Sequence, residues 1–507
     1  MIPAIDPRVE LGGALTAAEA APFLTALDER MITVRVASGD PRDALLAAAL
    51  LGLLRRSHAN VALDGDADLP RNPWGASTLV DRFDGLQQVA PAPFVPASSR
   101  VDVVIGAAPH PQQDSSADTD RLFVYGDAWT AWVVADPADL LTVSETGPEP
   151  YGAFLAAGLA ASVLFQRALR SCGLPAGPET FPLIWNVVDH RRRPAAQTDR
   201  VVPDWPQLAL LGAGTVGSAV AATLAVEDLR GLTAFAIDPD HFDPQRNPFR
   251  YPASTSATAG DKSAWVAGLL TSAGARAEGV PVRVGEWVRS ADSPGFDGVA
   301  VGSVDTVEGR FQTADLLART HVSVAVDTLA LHVQREVMGD GLRCPFCDFV
   351  DLRGSLSQVD VYVQMTGLDP ARVVALLRED GRLVAEDLAR VTSMRPIASA
   401  DELVGRRLAD ILPRIYAQAA IQVRPDADPI RVSAPHVSWI AGVLAAAELA
   451  KQARGLPLLD RRVELDLHGP PDDFVHRLER DRSGRCPCAD PVRRRWMDSL
   501  YGVAATA

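Results

Sequence analysis

The apolar run Leu208-Ala-Leu-Leu211 leads straight into Gly212-Ala-Gly214-Thr-Val-Gly217. A short buried strand, a glycine turn and a helix from about Thr215 are predicted, with the helix N-terminus aimed at a ligand. Free backbone N–H groups and the helix dipole at that point suit an anion. The uncharged run from Leu208 to Val226 is long enough to suggest a membrane span. Its glycines and strand-turn-helix pattern fit a buried Rossmann unit better, so a soluble, cytoplasmic protein with no membrane partner is expected. No basic-then-apolar segment at the N-terminus marks a secretory signal.

The chain has 507 residues, 47% hydrophobic and 22% charged, and a net charge of −15. That length accommodates about two to four cores, and the acidic balance argues against nucleic acid as a partner. Of 49 basic residues only Lys262 and Lys451 are lysines, which makes a lysine at any given place unexpected. Five cysteines are too few and too clustered for a disulfide scaffold.

Helix-period apolar segments alternate with short β-rich runs, the pattern of a doubly wound α/β fold. The chain also matches itself. Leu63-Asp64-Gly-Asp66 leading to Arg71-Asn-Pro-Trp74 echoes Ile237-Asp238-Pro-Asp240 leading to Arg246-Asn-Pro-Phe249. Val36-Ala-Ser-Gly39-Asp-Pro-Arg takes the place of Leu211-Gly-Ala-Gly214-Thr-Val-Gly217, and Val103-Val-Ile-Gly106 parallels Val299-Ala-Val-Gly302. Pro150-Tyr-Gly-Ala-Phe-Leu-Ala-Ala resembles Pro435-His-Val-Ser-Trp-Ile-Ala-Gly. Four segments in one order favour a duplication over chance likeness between alanine-rich helices. The first copy lacks two of the three glycines, has Gly75 in place of Arg250 and Pro109 in place of Asp305, and reads as catalytically dead.

Asp238, ending the next strand, lies where an acid accepts ribose hydroxyls. Up to here the pattern fits NAD as well as ATP, and no Walker A lysine is present. Asn247, Arg250 and Lys262 then supply an amide and two cations over a short stretch, as a triphosphate cleaved at its α-phosphorus requires. Asp305 follows the strand Val299 to Gly302, and a carboxylate there suits Mg²⁺ between phosphates. Cys344-Pro-Phe-Cys347 and Cys486-Pro-Cys488 form two close pairs that suit a tetrahedral structural Zn²⁺; the alternative is four buried thiols.

This series resembles the ThiF/MoeB and ubiquitin-activating-enzyme superfamily over about residues 205 to 490, through Gly212 to Gly217, Asp238-Pro-Asp240, Asn247-Pro-Phe-Arg250, Gly260-Asp-Lys262 and Val304-Asp305 with Arg310. The resemblance implies that Asp238 or Asp240 holds the ribose, that Asn247, Arg250 and Lys262 hold the phosphates, and that Asp305 is the essential acid near Mg²⁺. It also implies a zinc at the cysteines and an arginine reaching ATP from the opposite half, for which Arg8 is a candidate. The stretch from Asp238 to Asn247 is one residue longer than the family pattern, so the ribose aspartate stays open.

Family members with a cysteine nucleophile carry it in the crossover, but the segment from Asp348 to Arg485 has no cysteine, and the lone Cys172 reads as a small core residue. The expected architecture is α/β: two Rossmann-like ThiF-type adenylation domains in a pseudo-dimer, with a small helical insert and a zinc knot in the second. The expected boundaries are a degenerate domain at 1–190, a linker at 191–205, the ATP-binding domain at 206–350, a crossover insert at 351–432 and the rest of the active domain at 433–507. Helices are expected in the insert at Pro370 to Arg378 and Asp401 to Leu412. The expected activity is ATP-dependent adenylation of the C-terminal carboxylate of a ubiquitin-like protein or peptide. The acyl-adenylate would pass to a sulfur donor, an amine or a conjugating partner, and further homo-oligomers are possible. The alternatives are a peptide-binding scaffold without turnover and, third, an NAD-dependent oxidoreductase.

Overall fold

The computed structural model describes residues 17–36, 39–69, 71–89, 96–106, 120–140, 147, 149–173, 176, 179–195, 201–243, 247–255, 258–290, 295–304, 307–327, 329–338, 340, 342–347, 359, 362–363, 366–378, 381–394, 403–408, 434–459, 462–467, 475–476, 480, 484, 486 and 489–501. Asp305, Cys488, Pro109 and Arg8 lie outside these residues.

In the first half, α1 (Ala17–Asp28), β1 (Arg30–Val36), α2 (Pro41–Leu54), β2 (Val61–Asp64), α3 (Leu79–Val89), β3 (Ser99–Ile105), β4 (Asp120–Asp127), β5 (Thr130–Val134), α4 (Tyr151–Ser171) and β6 (Leu183–Asn186) follow in order. The second half opens with β7 (Leu208–Leu211), α5 (Thr215–Leu224), β8 (Thr233–Ile237), α6 (Lys262–Ser272), β9 (Arg276–Val280), α7 (Val284–Ser290), β10 (Phe296–Gly302), α8 (Val307–Asp315), β11 (Ala318–Asp327) and β12 (Ala330–Val337). It continues with α9 (Pro370–Leu376), α10 (Ala385–Met394), α11 (Pro435–Ala453), β13 (Arg462–Asp466), β14 (Val475–His476) and α12 (Pro491–Tyr501).

The fold is mixed α/β with two sheets dominated by parallel pairs. The first runs β2-β1-β3-β4-β5-β6 and the second β9-β8-β7-β10-β11-β12-β13-β14. Six consecutive strands of the second sheet, from β8 to β13, repeat the order and directions of the first: three parallel pairings and then two antiparallel ones. The hairpin ends correspond too, Asp127↔Thr130 in one sheet and Asp327↔Ala330 in the other.

Strands β7 and β5 are short apolar runs, buried throughout. Helix α2 starts because Asp40 caps it, accepting from Arg42 N at 2.8 Å, with Pro41 at its first position. Helix α11 likewise starts on Pro435.

The repeated helices α4 and α11 pack on each other and join the halves. Trp439 Nε1 donates to Phe154 O at 2.9 Å, and the two rings meet edge to face at 5.3 Å. A Cβ on Gly158 would lie 2.5 Å from Ile440, so the contact requires a residue without a side chain there. Among the described residues α4 is the one helix long and apolar enough to cross a membrane, and 89% of its apolar window is buried inside the protein.

The insert has its own small core of Leu368, Val373, Leu376, Leu383, Leu388, Val391, Leu403 and Leu408. The helix expected at Pro370 is present. Of the stretch expected to be helical from Asp401 to Leu412, residues 403–408 are described and make no continuous helix, because Gly405 turns the chain at φ +82°. A further described helix of the insert is α10, earlier in the chain than Asp401.

Candidate active site

Strand β7 ends at Leu211, and the chain turns on Gly212 at φ +99°, a conformation that side chains resist. A Cβ on Gly217 would sit 2.0 Å from Gly212 O, so the third glycine lets α5 lie against the turn. Gly214 is the N-cap of α5, has no side-chain cap bond, and a Cβ there would meet nothing within 4 Å. The first turn of α5 therefore begins beside open space, and its glycine N-cap has no side chain to accept from the N–H groups there.

That space is a cavity of about 1070 Å³ at the carboxyl ends of the parallel strands. Its lining includes Gly212, Gly214, Asp238, Asp240, Asn247, Arg250 and Lys262, which brings together seven of the residues expected to bind nucleotide. Ser303 and Val304, just before Asp305, also line it.

Asp238 is buried and already holds the turn: Oδ2 accepts from Ala213 N at 2.7 Å and Oδ1 from Asp240 N at 2.9 Å. Burial pushes its carboxyl up from the ordinary value, against those two bonds and Lys262. A carboxylate has about four lone-pair positions, so Asp238 retains acceptor capacity for a ribose hydroxyl. Asp240 is more exposed and pairs with Lys262 Nζ at 2.8 Å.

Lys262 is the first residue of α6. Burial disfavours its charge, but Tyr251, Asp240 and Asp238 outweigh it and hold the ammonium above its ordinary pKa. A cation at a helix N-terminus opposes the dipole, and the placement makes sense when an anion arrives between them. Asn247 Oδ1 accepts from Asp243 N at 2.6 Å and Asn247 O from Arg250 N at 2.9 Å, which folds the 247–250 turn and sets Arg250 at the cavity wall.

The cavity runs on over the open face of the second sheet, past Val324, Ala325, Val326, Ala330, Leu331, His332 and Glu464, with Arg283, Arg310 and Gln312 at its sides. Tyr251, Arg283, His332 and Glu464 were not found from the sequence. Tyr251 adjoins Arg250 and was within reach of the motif. His332 and Glu464 are cross-strand partners on β12 and β13, a pairing that no local pattern encodes. Burial first, then Arg462, Arg310 and Arg343, push the His332 imidazole down to about 3, so it is neutral.

In the first half, side chains of that half occupy the corresponding helix start. The N-terminus of α2 is capped by Asp40, and Arg42 reaches both Asp40 and the fully buried Asp127 at 2.7 Å. Counted from the matching hairpin ends, Tyr125 and Trp132 stand where Ala325 and His332 line the second cavity, and their rings meet at 5.4 Å.

Cys344, Cys347 and Cys486 are buried, with sulfurs 3.8, 3.5 and 3.5 Å apart. Sulfurs about 2.3 Å from a tetrahedral zinc are about 3.8 Å from each other, so the three thiols fit that ion. None of the three lines the cavity. Cys172 is half-buried, and its thiol donates to Pro22 O at 3.3 Å.

No family model matches the sequence, and no curated protein matches it. Solved structures similar to it include E. coli MccB with MccA, at 13% identity and TM-score 0.33, covering 56% of this chain and 66% of that one. The microcin C7 biosynthetic enzyme MccB in complex with N-formylated MccA is 14% identical at TM-score 0.32, covering 56% of this chain and 67% of that one. PaaA is 15% identical at TM-score 0.30, covering 54% of this chain and 72% of that one. The first of these matches thus spans just under two thirds of its MccB chain.

Proposed function

We propose that the chain is an adenylating enzyme of ThiF type, which activates the C-terminal carboxylate of a peptide or ubiquitin-like protein with ATP. One observation carries this reading: an uncapped helix N-terminus, a ribose-competent aspartate and the cations Arg250 and Lys262 converge on one cavity, which then continues as a groove over the sheet. Ligand pockets typically measure about 300–1,000 Å³, so about 1070 Å³ admits a nucleotide and the end of a second substrate.

In the proposed reaction an oxygen of the substrate carboxylate attacks the α-phosphorus. The bond from that phosphorus to the bridging oxygen breaks, and pyrophosphate leaves with the electron pair. No protein nucleophile takes part. The N–H groups of the first turn of α5, Arg250 and Lys262 hold the phosphates in line and meet the charge that develops on the leaving group. Asp238 or Asp240 takes the ribose. Mg²⁺, when bound, neutralises phosphate charge, and Asp305 is the carboxylate we assign to it. A structural zinc would be held by Cys344, Cys347 and Cys486, with Cys488 assigned as the fourth ligand, and would take no part in the chemistry. The acyl-adenylate then passes to a sulfur donor, an amine or a partner protein.

Exchange of labelled pyrophosphate into ATP, assayed with peptides and small proteins ending in a free carboxylate, tests the reading. Carboxylate-dependent exchange that survives Cys172→Ala is expected. Exchange that persists unchanged in both Lys262→Ala and Asp305→Ala would place the chemistry elsewhere.

A further inference from the structure

Two arginines of the first half cross into the second and end on the loop that carries Asn247 and Arg250. Arg56, just past the end of α2, donates from Nε to Pro248 O at 2.7 Å. Its Nη2 reaches Ser254 O at 3.1 Å and Ser254 Oγ at 3.2 Å. Arg82, on α3, donates from Nη2 to Pro252 O at 3.0 Å and lies 4.8 Å from the Trp74 ring centroid. Within the loop Asn247 O and Tyr251 O accept from the loop's own amides, while the carbonyls of Pro248, Pro252 and Ser254 take their donors from the other half.

Both guanidiniums are buried, Arg56 at 0% and Arg82 at 3% exposure. Among the described residues neither forms an ion pair with a carboxylate. Two adjacent buried cations without counter-charge are far costlier to bury than neutral donors to the same carbonyls. Their approach also depends on a glycine inside α2. A Cβ on Gly52 would lie 2.8 Å from Arg82 Nη2 and 3.3 Å from Pro252 O, although glycine is a poorer helix former than alanine there. The arrangement gives up stability to hold charge beneath one loop, and the other side of that loop lines the cavity.

We propose that Arg56 and Arg82 are positioning residues for the nucleotide: they fix the 247–255 loop from below and add positive potential that the phosphates of ATP complete from above. The inference rests on the adenylation reading for the identity of the anion. It gives the first half a task at the living site that needs neither a nucleotide of its own nor direct contact with the phosphates.

The test measures MgATP and adenosine binding to the full chain by calorimetry, together with hydrogen exchange of loop amides 247–255 in the nucleotide-free protein. In Gly52→Ala, which keeps both arginines and fills their slot, loop amides should exchange faster and MgATP should bind about tenfold more weakly, with adenosine changed less than about twofold. Arg82→Lys keeps the charge and one donor and should stay within about threefold of wild type. Arg82→Gln keeps a donor without the charge and should weaken MgATP by about tenfold. Wild-type MgATP affinity in both Gly52→Ala and Arg82→Gln would overturn the proposal. If Gly52→Ala does not fold, the two Arg82 variants decide by themselves. A wild-type chain that binds no MgATP overturns the adenylation reading and the phosphate part of this proposal with it. Loop exchange then still decides the tether, which unchanged exchange in Gly52→Ala and Arg82→Gln would refute.

Discussion

Helices α2 and α5 stand at the same place in two sheets of matching strand order, and they begin differently. Asp40 caps α2 with its own carboxylate, and Arg42 locks that carboxylate to the buried Asp127. Gly214 begins α5 without a side-chain cap, over open space. The floor differs as well: Tyr125 and Trp132 fill in the first half what Ala325 and His332 leave open in the second. A helix N-terminus that supplies its own anion is complete, whereas one left with glycine beside Arg250 and Lys262 is built to receive an anion. In the proposed reading the same architecture serves in one half as a support and in the other as a site.

The comparison breaks most visibly at Lys262. Lys262→Ala should lower pyrophosphate exchange by about 100-fold or more, since it removes a cation that meets transition-state charge, and circular dichroism should show the fold intact. The mirror substitution Arg42→Ala should do the opposite. It leaves Asp127 buried without its guanidinium, so denaturant titration should show a loss of about 3 kcal/mol, while MgATP affinity stays within about twofold.

Gly214→Ala sharpens the contrast at the helix start. A Cβ there touches nothing in the protein, so the melting temperature should hold, yet MgATP binding should weaken by about tenfold because the methyl occupies the ligand's side of the turn. The smallest effect concerns the matched positions Tyr151 and His436 on the helices that join the halves. Burial pushes the His436 imidazole down to about 3. An unfolded histidine titrates near about 6.5, so the unfolded state binds the proton first. The contribution is intact above about pH 6.5 and is lost as pH falls towards 3. His436→Leu should narrow the drop in melting temperature between pH 7.5 and pH 5 by about 2 °C.

The local parts of this site were legible in the sequence. Gly212, Gly214, Gly217, Asp238, Asn247 and Lys262 each sit at the start or end of one short element, where composition and spacing decide conformation. The cysteine cluster was legible for a similar reason, since close pairs of thiols have few other uses. His332 and Glu464 were not, because they meet through the pairing of β12 with β13 across a long separation in sequence. No local pattern singles out Arg56 and Arg82, and only packing of the two halves shows that both are buried on one loop. The helix expected after Asp401 failed locally, where Gly405 overrides a run of helix-forming residues.

Calorimetric titration of the full chain with MgATP tests the division of labour most directly. One nucleotide per chain is predicted, lost in Lys262→Ala and retained in Arg42→Ala. Two nucleotides per chain, none, or a single one that disappears in Arg42→Ala and persists in Lys262→Ala would contradict it.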